Sequence, residues 1–281
     1  MAMELMFQKV LDWLQEDVGI WDETSRALFG EDLRVTGRVV SNSWGVVACV
    51  SEIRDFLSRM GFEVTVLKKD GDEVKPKDVV MEIRGDTKRL FELERLVLNL
   101  LAHASGVATE TKKLVDVTKD LGVKVAATRK TLPGLRYFEK RAVLIGGGDP
   151  HRFNLDDSIL IKDNHIKVVG SVEEAIRRAK SRASFVKKVE VEVSSPEEAL
   201  EAARAGADII MLDNVTPEAV KSAVRLLEEA GLRGKVVLEV SGGIRLENAR
   251  EYASTGVDVL SSGYITISAQ ALDFSMEVSK C

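Results

Sequence analysis

The rhythm of apolar and polar positions changes twice along this chain. Leu5, Met6, Val10, Trp13 and Leu14 recur at helical spacing and predict an amphipathic helix over Met3–Glu16. From Leu33 the apolar residues gather into short strand-like runs, Val35–Val40, Gly45–Cys49 and Phe62–Leu67, with a helix over Ser51–Met60 that stops at Gly61. Asp70-Gly71-Asp72, followed by Val74, Pro76 and Val79–Ile83, resembles the hairpin pieces of a barrel-sandwich module. No lysine sits between small apolar residues at a hairpin tip, so a structural role is expected there. Glu92–Ala104 is helical and largely apolar, with Arg95 and Asn99 one turn apart. Ser105-Gly106 is expected to break that helix, and a second helix over Val107–Leu121 to end at Gly122.

After Gly122 the pattern becomes repetitive. Strand-like runs at Val123–Ala127, Ser158–Lys162, Val189–Val193, Asp208–Leu212, Val236–Val240 and Val257–Leu260 alternate in their later part with helical stretches. Those stretches are Val172–Arg182, Pro196–Ala205, Pro217–Ala230 and Leu246–Ser254. Such alternation predicts right-handed strand-helix-strand units on a parallel sheet. No glycine-rich dinucleotide fingerprint follows the first strand, so a TIM-like barrel of about seven units is expected rather than an open nucleotide-binding sheet. The expected domains are an N-terminal α/β unit over 1–105 and a catalytic barrel over 106–267.

Composition narrows the class. With 281 residues, 45% hydrophobic and 30% charged, the chain reads as globular and cytoplasmic, without a signal peptide in Met1–Glu16 or a membrane-spanning run. A net charge of −5 argues against nucleic acid as a partner. Cys49 and Cys281 stand in no metal spacing and are expected to be free thiols.

Charged residues concentrate where a barrel does chemistry. Thr128-Arg129-Lys130-Thr131, Pro133-Gly134-Leu135-Arg136, Gly146-Gly147-Gly148, His151-Arg152 and Lys162-Asp163-Asn164-His165 form a basic, glycine-rich stretch suited to an anion. Glu190 and Glu192 share the strand face opposite Val189, Val191 and Val193, and so point into the barrel. Asp213 and Glu239 lie at or near later strand ends. Ser241-Gly242-Gly243 and Ser261-Ser262-Gly263 follow the last two strands, where bare backbone can approach a phosphate. The bland alternative is that some of these charges only pair with one another. A basic side, an acidic side and phosphate loops together fit a polyanionic ligand bearing a polyol and a divalent cation.

These segments resemble, in order, the signature segments of the quinolinate phosphoribosyltransferases: those above, plus Glu190-Val191-Glu192, Met211-Leu212-Asp213-Asn214, Glu239-Val240-Ser241-Gly242-Gly243-Ile244 and, upstream, Glu94-Arg95 with Asn99. The resemblance implies joining of quinolinate to phosphoribosyl pyrophosphate with Mg²⁺, giving nicotinate mononucleotide, pyrophosphate and carbon dioxide in NAD biosynthesis. It implies an open seven-stranded α/β barrel with an N-terminal α/β sandwich completed by about 268–281. It also implies a homodimer, or a trimer of dimers, in which Arg95 reaches the partner's site. On this pattern Arg95, Thr128, Arg129, Lys130, His151, Arg152 and Lys162 would meet the carboxylates and pyrophosphate, with Lys130, Lys162, Glu192 and Asp213 catalytic. Glu192 and Asp213 would bind ribose hydroxyls and Mg²⁺; Ser241, Gly242, Gly243, Ser262 and Gly263 would hold the 5′-phosphate. One departure is Asp149-Pro150 before His151, where the family commonly has asparagine. The competing readings are a nicotinate phosphoribosyltransferase, a Schiff-base aldolase using Lys162, and a non-catalytic phosphate sensor. The aldolase would need Lys162 desolvated and unpaired.

Overall fold

The structure, a computed structural model, describes residues 2–30 and 33–281. Met1, Glu31 and Asp32 lie outside the described residues, so the expected N-terminal segment is seen from Ala2 onward. The chain forms two compact units, Met1–Thr109 with Ala269–Cys281, and Glu110–Ser268.

The first unit begins with α1 (Ala2–Val18) and α2 (Glu23–Leu28) and continues through β1 (Arg34–Ser41), β2 (Gly45–Val46), α3 (Val50–Arg59), β3 (Glu63–Val66), β4 (Glu73–Val74), β5 (Val79–Asp86) and α4 (Thr87–Thr118). β1 lies between β5 and the C-terminal strand Phe274–Lys280, antiparallel to both, and β3 closes the other edge of this four-stranded sheet. β4 pairs with β2 rather than forming a hairpin with β5, so the expected barrel-sandwich hairpin is absent there. The Asp70 carboxylate instead accepts hydrogen bonds from the Val50 and Ser51 amides at the start of α3. Cys49 and Cys281 are free thiols, the first buried and the second exposed.

The break expected at Ser105-Gly106 does not occur, because α4 runs through it uninterrupted. Both residues serve close packing instead. The buried Ser105 hydroxyl oxygen accepts from the Ala48 amide at 3.1 Å, and a Cβ on Gly106 would collide with the Gln270 carbonyl oxygen. A glycine inside a helix costs about 1 kcal/mol relative to alanine, a penalty the close backbone approach here justifies. The division between the two units falls inside α4, between Thr109 and Glu110.

The second unit is the repetitive one. Its elements are β6 (Lys124–Ala126), α5 (Arg136–Ile145), β7 (Ile159–Ile161), α6 (Asp163–Val169), α7 (Val172–Arg182), β8 (Val189–Val193), α8 (Pro196–Arg204), β9 (Ile209–Asp213), α9 (Pro217–Glu229), β10 (Val237–Ser241), α10 (Leu246–Ala253), β11 (Val259–Ser261) and α11 (Tyr264–Ile267). Six parallel strands pair in the order β6-β11-β10-β9-β8-β7, an open α/β barrel. At the seventh place Asp149 makes a single parallel bridge to Ala126, exchanging bonds with Val125 and Ala127 at 2.8 and 2.9 Å. The seventh strand is thus one residue long. Pro150 follows it and lacks the amide that would extend the ladder.

Local sequence explains where the helices start. Ser171, Ser195 and Thr216 each accept a backbone amide three residues on, and Pro196 and Pro217 occupy first-turn positions. Each such cap is worth about 1 kcal/mol. Val220, Ala223 and Leu227 give α9 a buried stripe at helical spacing. Tightly stopped strands and promptly started helices leave Lys162, Glu192 and Asp213 within a residue or so of the sheet's C-terminal edge.

Candidate active site

At that edge lies a cavity of about 330 Å³ lined by Ala127, Thr128, Arg129, Lys130, His151, Arg152, Leu160, Lys162, Glu192, Met211, Asp213, Glu239 and Ser241. The residues singled out from sequence at 128–130, 151, 152, 162, 192, 213 and 241 therefore converge. Gly242 and Gly243 follow Ser241 in the chain and Gly263 lies against Lys130, but neither they nor Ser262 belong to that lining. Arg95 is exposed on α4 in the other unit and is not part of it either.

The cationic side is built from two loops and one strand end. Thr128 accepts the Lys130 amide at 2.9 Å and shapes the first loop. The Arg129 Nε is buried with no hydrogen-bond partner, a donor left for something that enters the cavity. Burial and the nearby Arg129 charge push the Arg152 guanidinium below its usual range, a repulsion that a bound anion would relieve. Lys162, just past β7, pairs with Glu192 at 2.8 Å while remaining about half exposed. That pairing is the opposite of the dry, unpaired amine a Schiff-base enzyme requires. His165 caps the same turn: its Nδ1 accepts the Lys162 amide at 2.9 Å.

His151 has a special backbone and a special environment. Its φ is 54°, in the left-handed region, and the Asp149 carboxylate accepts its amide at 2.7 Å. The Asp149 carboxylate therefore closes this turn. The imidazole Nε2 lies 3.5 Å from Glu190 and 3.4 Å from Glu239, both fully buried. Burial alone would lower the His151 pKa, but the two carboxylates outweigh it and raise it to about 10. Burial raises Glu190 in turn, and the charge of Glu239 adds to the effect. Each glutamate keeps a buried oxygen without a hydrogen-bond partner. The three donor atoms lie within 4.8 Å of one another and could alternatively take a metal ion. A protonated imidazole supplies the counter-charge for one of the two buried carboxylates. On β8, Glu190 is thus the inner carboxylate and Glu192 the one that reaches the cavity.

The acidic side comes from adjacent strands, Glu192 on β8 and Asp213 at the end of β9. One Asp213 oxygen accepts from Asn214 Nδ2 at 2.6 Å. Beyond β10, Gly242 has φ 90°, and a Cβ there would collide with Asn214, so this turn needs glycine twice over. Gly263 lies against the Lys130 side chain, where a Cβ would come within 2.9 Å of Cδ. The Ser262 hydroxyl donates to the Ile244 carbonyl at 2.7 Å and accepts from the Tyr264 amide, tying the two glycine loops together.

Sequence reading missed α5. Its Glu139 and Lys140 are buried charges, and both bond to the loops that carry the cationic side. An adjacent acid and base read as ordinary surface chemistry. The only available signal was their place between two glycine-rich loops.

A parallel open barrel that gathers cations and carboxylates around one cavity at its strand ends, with two glycine turns nearby, has the architecture of an α/β-barrel enzyme. Residues 107–277 match the family described as "Quinolinate phosphoribosyl transferase, C-terminal domain", and residues 22–105 match its N-terminal domain. A protein of Methanothermobacter thermautotrophicus is 46% identical over 277 residues, covering 97% of this chain and 99% of its own. One from Archaeoglobus fulgidus is 52% identical over 242 residues, covering 85% and 93%. Both bear the name probable nicotinate-nucleotide pyrophosphorylase (carboxylating). The solved structure of NadC from Streptococcus pyogenes superposes with a TM-score of 0.90 at 40% identity, over 98% of this chain and 96% of that one. The chain belongs to the quinolinate phosphoribosyltransferase family.

Proposed function

We propose that this chain transfers the phosphoribosyl group of phosphoribosyl pyrophosphate to quinolinate, releasing pyrophosphate and carbon dioxide and forming nicotinate mononucleotide. The observation that carries the reading is the gathering of Arg129, Lys130, His151, Arg152 and Lys162 with Glu192 and Asp213 around one cavity. A pyridine dicarboxylate matches the guanidinium and imidazolium groups, since arginine takes carboxylates in fork geometry. Arg95 of a partner subunit adds a further cation in a homodimer, or in a trimer of dimers. Lys162 and Lys130 serve the pyrophosphate, and the Ser241–Gly243 and Ser262–Gly263 turns serve the 5′-phosphate.

Glu192 and Asp213 offer hard carboxylate oxygens on neighbouring strands, a donor set suited to Mg²⁺. When bound, that ion neutralises charge on the leaving pyrophosphate. The chain's own residues orient and polarise. Lys162, released from Glu192 toward the leaving group, stabilises the departing charge, while Glu192 and Asp213 face the cationic character that develops at the anomeric carbon. The fixed cations hold the quinolinate ring nitrogen in line to attack that carbon. Once quaternised, the positive ring nitrogen stabilises the carbanion left at the adjacent carbon when that carboxylate departs as carbon dioxide, and a proton from water then occupies that position. No covalent enzyme intermediate is needed.

The test is incubation with quinolinate, phosphoribosyl pyrophosphate and Mg²⁺, following carbon dioxide and mononucleotide in equal amounts. Product from nicotinate without carbon dioxide would assign the chain to the alternative acid. Absence of turnover with either acid would reject the proposal. Cytoplasmic location belongs to the same reading; no helix among the described residues is long and apolar enough to cross a membrane.

A further inference from the structure

Helix α5 places three charged side chains, Arg136, Glu139 and Lys140, within one turn of one another, and none lines the cavity. Glu139 and Lys140 are both buried, with at most 2% of their surface exposed. Burying a lysine is expensive unless its ammonium is fully engaged. Lys140 Nζ donates to the Pro150 carbonyl and, at 3.3 Å, to the Arg152 carbonyl, the carbonyls of the two residues either side of His151. Arg136 donates to the Phe153 carbonyl at 3.4 Å and to Thr131 at 3.1 Å. Glu139 accepts the Leu132 amide at 3.3 and 3.2 Å. One helix thus grips both loops that form the cationic wall, the Arg129-Lys130 loop from one side and the His151-Arg152 loop from the other.

The second loop is the one that needs holding. His151 is in the left-handed region, costly for a residue with a Cβ, and persists only where its surroundings fix it. Pro150 cannot donate a backbone bond, and the strand before it ends after a single bridge. Two carbonyls anchored on a buried ammonium replace the ladder that a full strand would have supplied. Burial, with the charges of Arg136 and Arg129, pushes Lys140 down to about 8, and Asp149 and Glu139 partly offset this; the ammonium remains the main form at neutral pH.

We propose that Lys140, assisted by Arg136 on the Phe153 carbonyl, is a positioning residue for recognition of the acid substrate, fixing the His151-Arg152 loop to α5 so that both cations face the two carboxylates. The assignment of that substrate rests on the function proposed above. The phosphoribosyl pyrophosphate side is carried by β7, β8, β9, the glycine turns and Lys130, whose loop is held by Glu139 rather than Lys140, so loss of the Lys140 anchor should separate the two substrates kinetically.

The experiment is Lys140→Cys, refolded and assayed without and with alkylation by 2-bromoethylamine in denaturant, which rebuilds a lysine-like ammonium at this buried position, complete modification being checked by intact mass. Wild-type protein treated identically controls for Cys49 and Cys281. The expected result is a quinolinate KM raised about tenfold or more, a phosphoribosyl pyrophosphate KM changed less than about twofold, and recovery on alkylation. Hydrogen exchange of the 149–153 amides should accelerate in the cysteine form and slow again on alkylation; this readout holds whichever acid is turned over. Equal rises in both KM values, failure of alkylation to restore the quinolinate KM, or unchanged exchange at 149–153 would overturn the proposal. Should the cysteine variant not fold, Lys140→Gln keeps an N–H donor without the charge. A selective rise in quinolinate KM and faster 149–153 exchange there would support the role, and wild-type values would overturn it.

Discussion

Lys162 and His151 are cations held against carboxylates in opposite ways, and the difference predicts opposite behaviour. The Lys162–Glu192 pair is at 2.8 Å with the lysine half exposed, so it can exchange its partner for a phosphate at little cost. Lys162→Ala should leave folding intact and lower kcat by about 100-fold or more, because a charge that acts on the leaving group is lost. Steady-state kinetics beside a thermal melt measures both, and near-normal turnover would count against the role. His151 cannot exchange partners, since Glu190 and Glu239 lie buried beneath it. Its folded pKa of about 10 lies above the ordinary 6.5, so this pairing stabilises the fold fully below about pH 6.5 and is lost as pH rises through about 10. Glu239→Gln removes one of the two charges and should bring the His151 pKa down toward its ordinary range. NMR titration of the imidazole C–H signals, assigned with His151→Asn, checks this; an unmoved His151 would show that the carboxylates do not set its charge.

At the scale of elements, strands and outer helices were legible because their signals are local. Val-Glu-Val-Glu-Val at 189–193 alternates with period two, and Ser195-Pro196-Glu197-Glu198 carries both a cap and a first-turn proline. What was not legible depended on partners distant in sequence. Ser105-Gly106 has the composition of a helix break, yet α4 continues, because the glycine makes room for the backbone at Gln270. Nothing within ten residues of Gly106 announces that neighbour. The same structure predicts the cost of filling the space: Gly106→Ala improves helix propensity but should destabilise the protein by about 1–3 kcal/mol through overpacking against Gln270. Chemical denaturation measures it, and a stabilised variant would mean that the C-terminal segment can yield. The seventh barrel strand failed for a related reason: Asp149 bridges Ala126, but Pro150 ends the ladder there.

At the scale of the molecule, the cavity lining was legible almost in full, because parallel strands bring their C-terminal ends together whatever the rest of the chain does. Glu190 and Glu239 resisted a role from sequence alone, since alternation told which way they face and not that His151 lies between them. Arg95 is the residue for which a single chain gives least, being exposed on α4. The proposed function makes it part of the partner's site, and a mixed dimer tests that directly. Arg95→Ala and Lys162→Ala should each be nearly inactive alone. If Arg95 serves its own chain's site, mixing the two variants leaves every site with one defect and activity stays low. If it serves the partner's site, each mixed dimer has one doubly impaired site and one intact site. Random exchange in an equal mixture then restores about a quarter of wild-type activity per subunit, since half the dimers are mixed and half of their sites are whole. Recovery should appear only after subunits are exchanged, by brief denaturation and refolding or by co-expression, and its absence under those conditions would place Arg95 outside the partner's site.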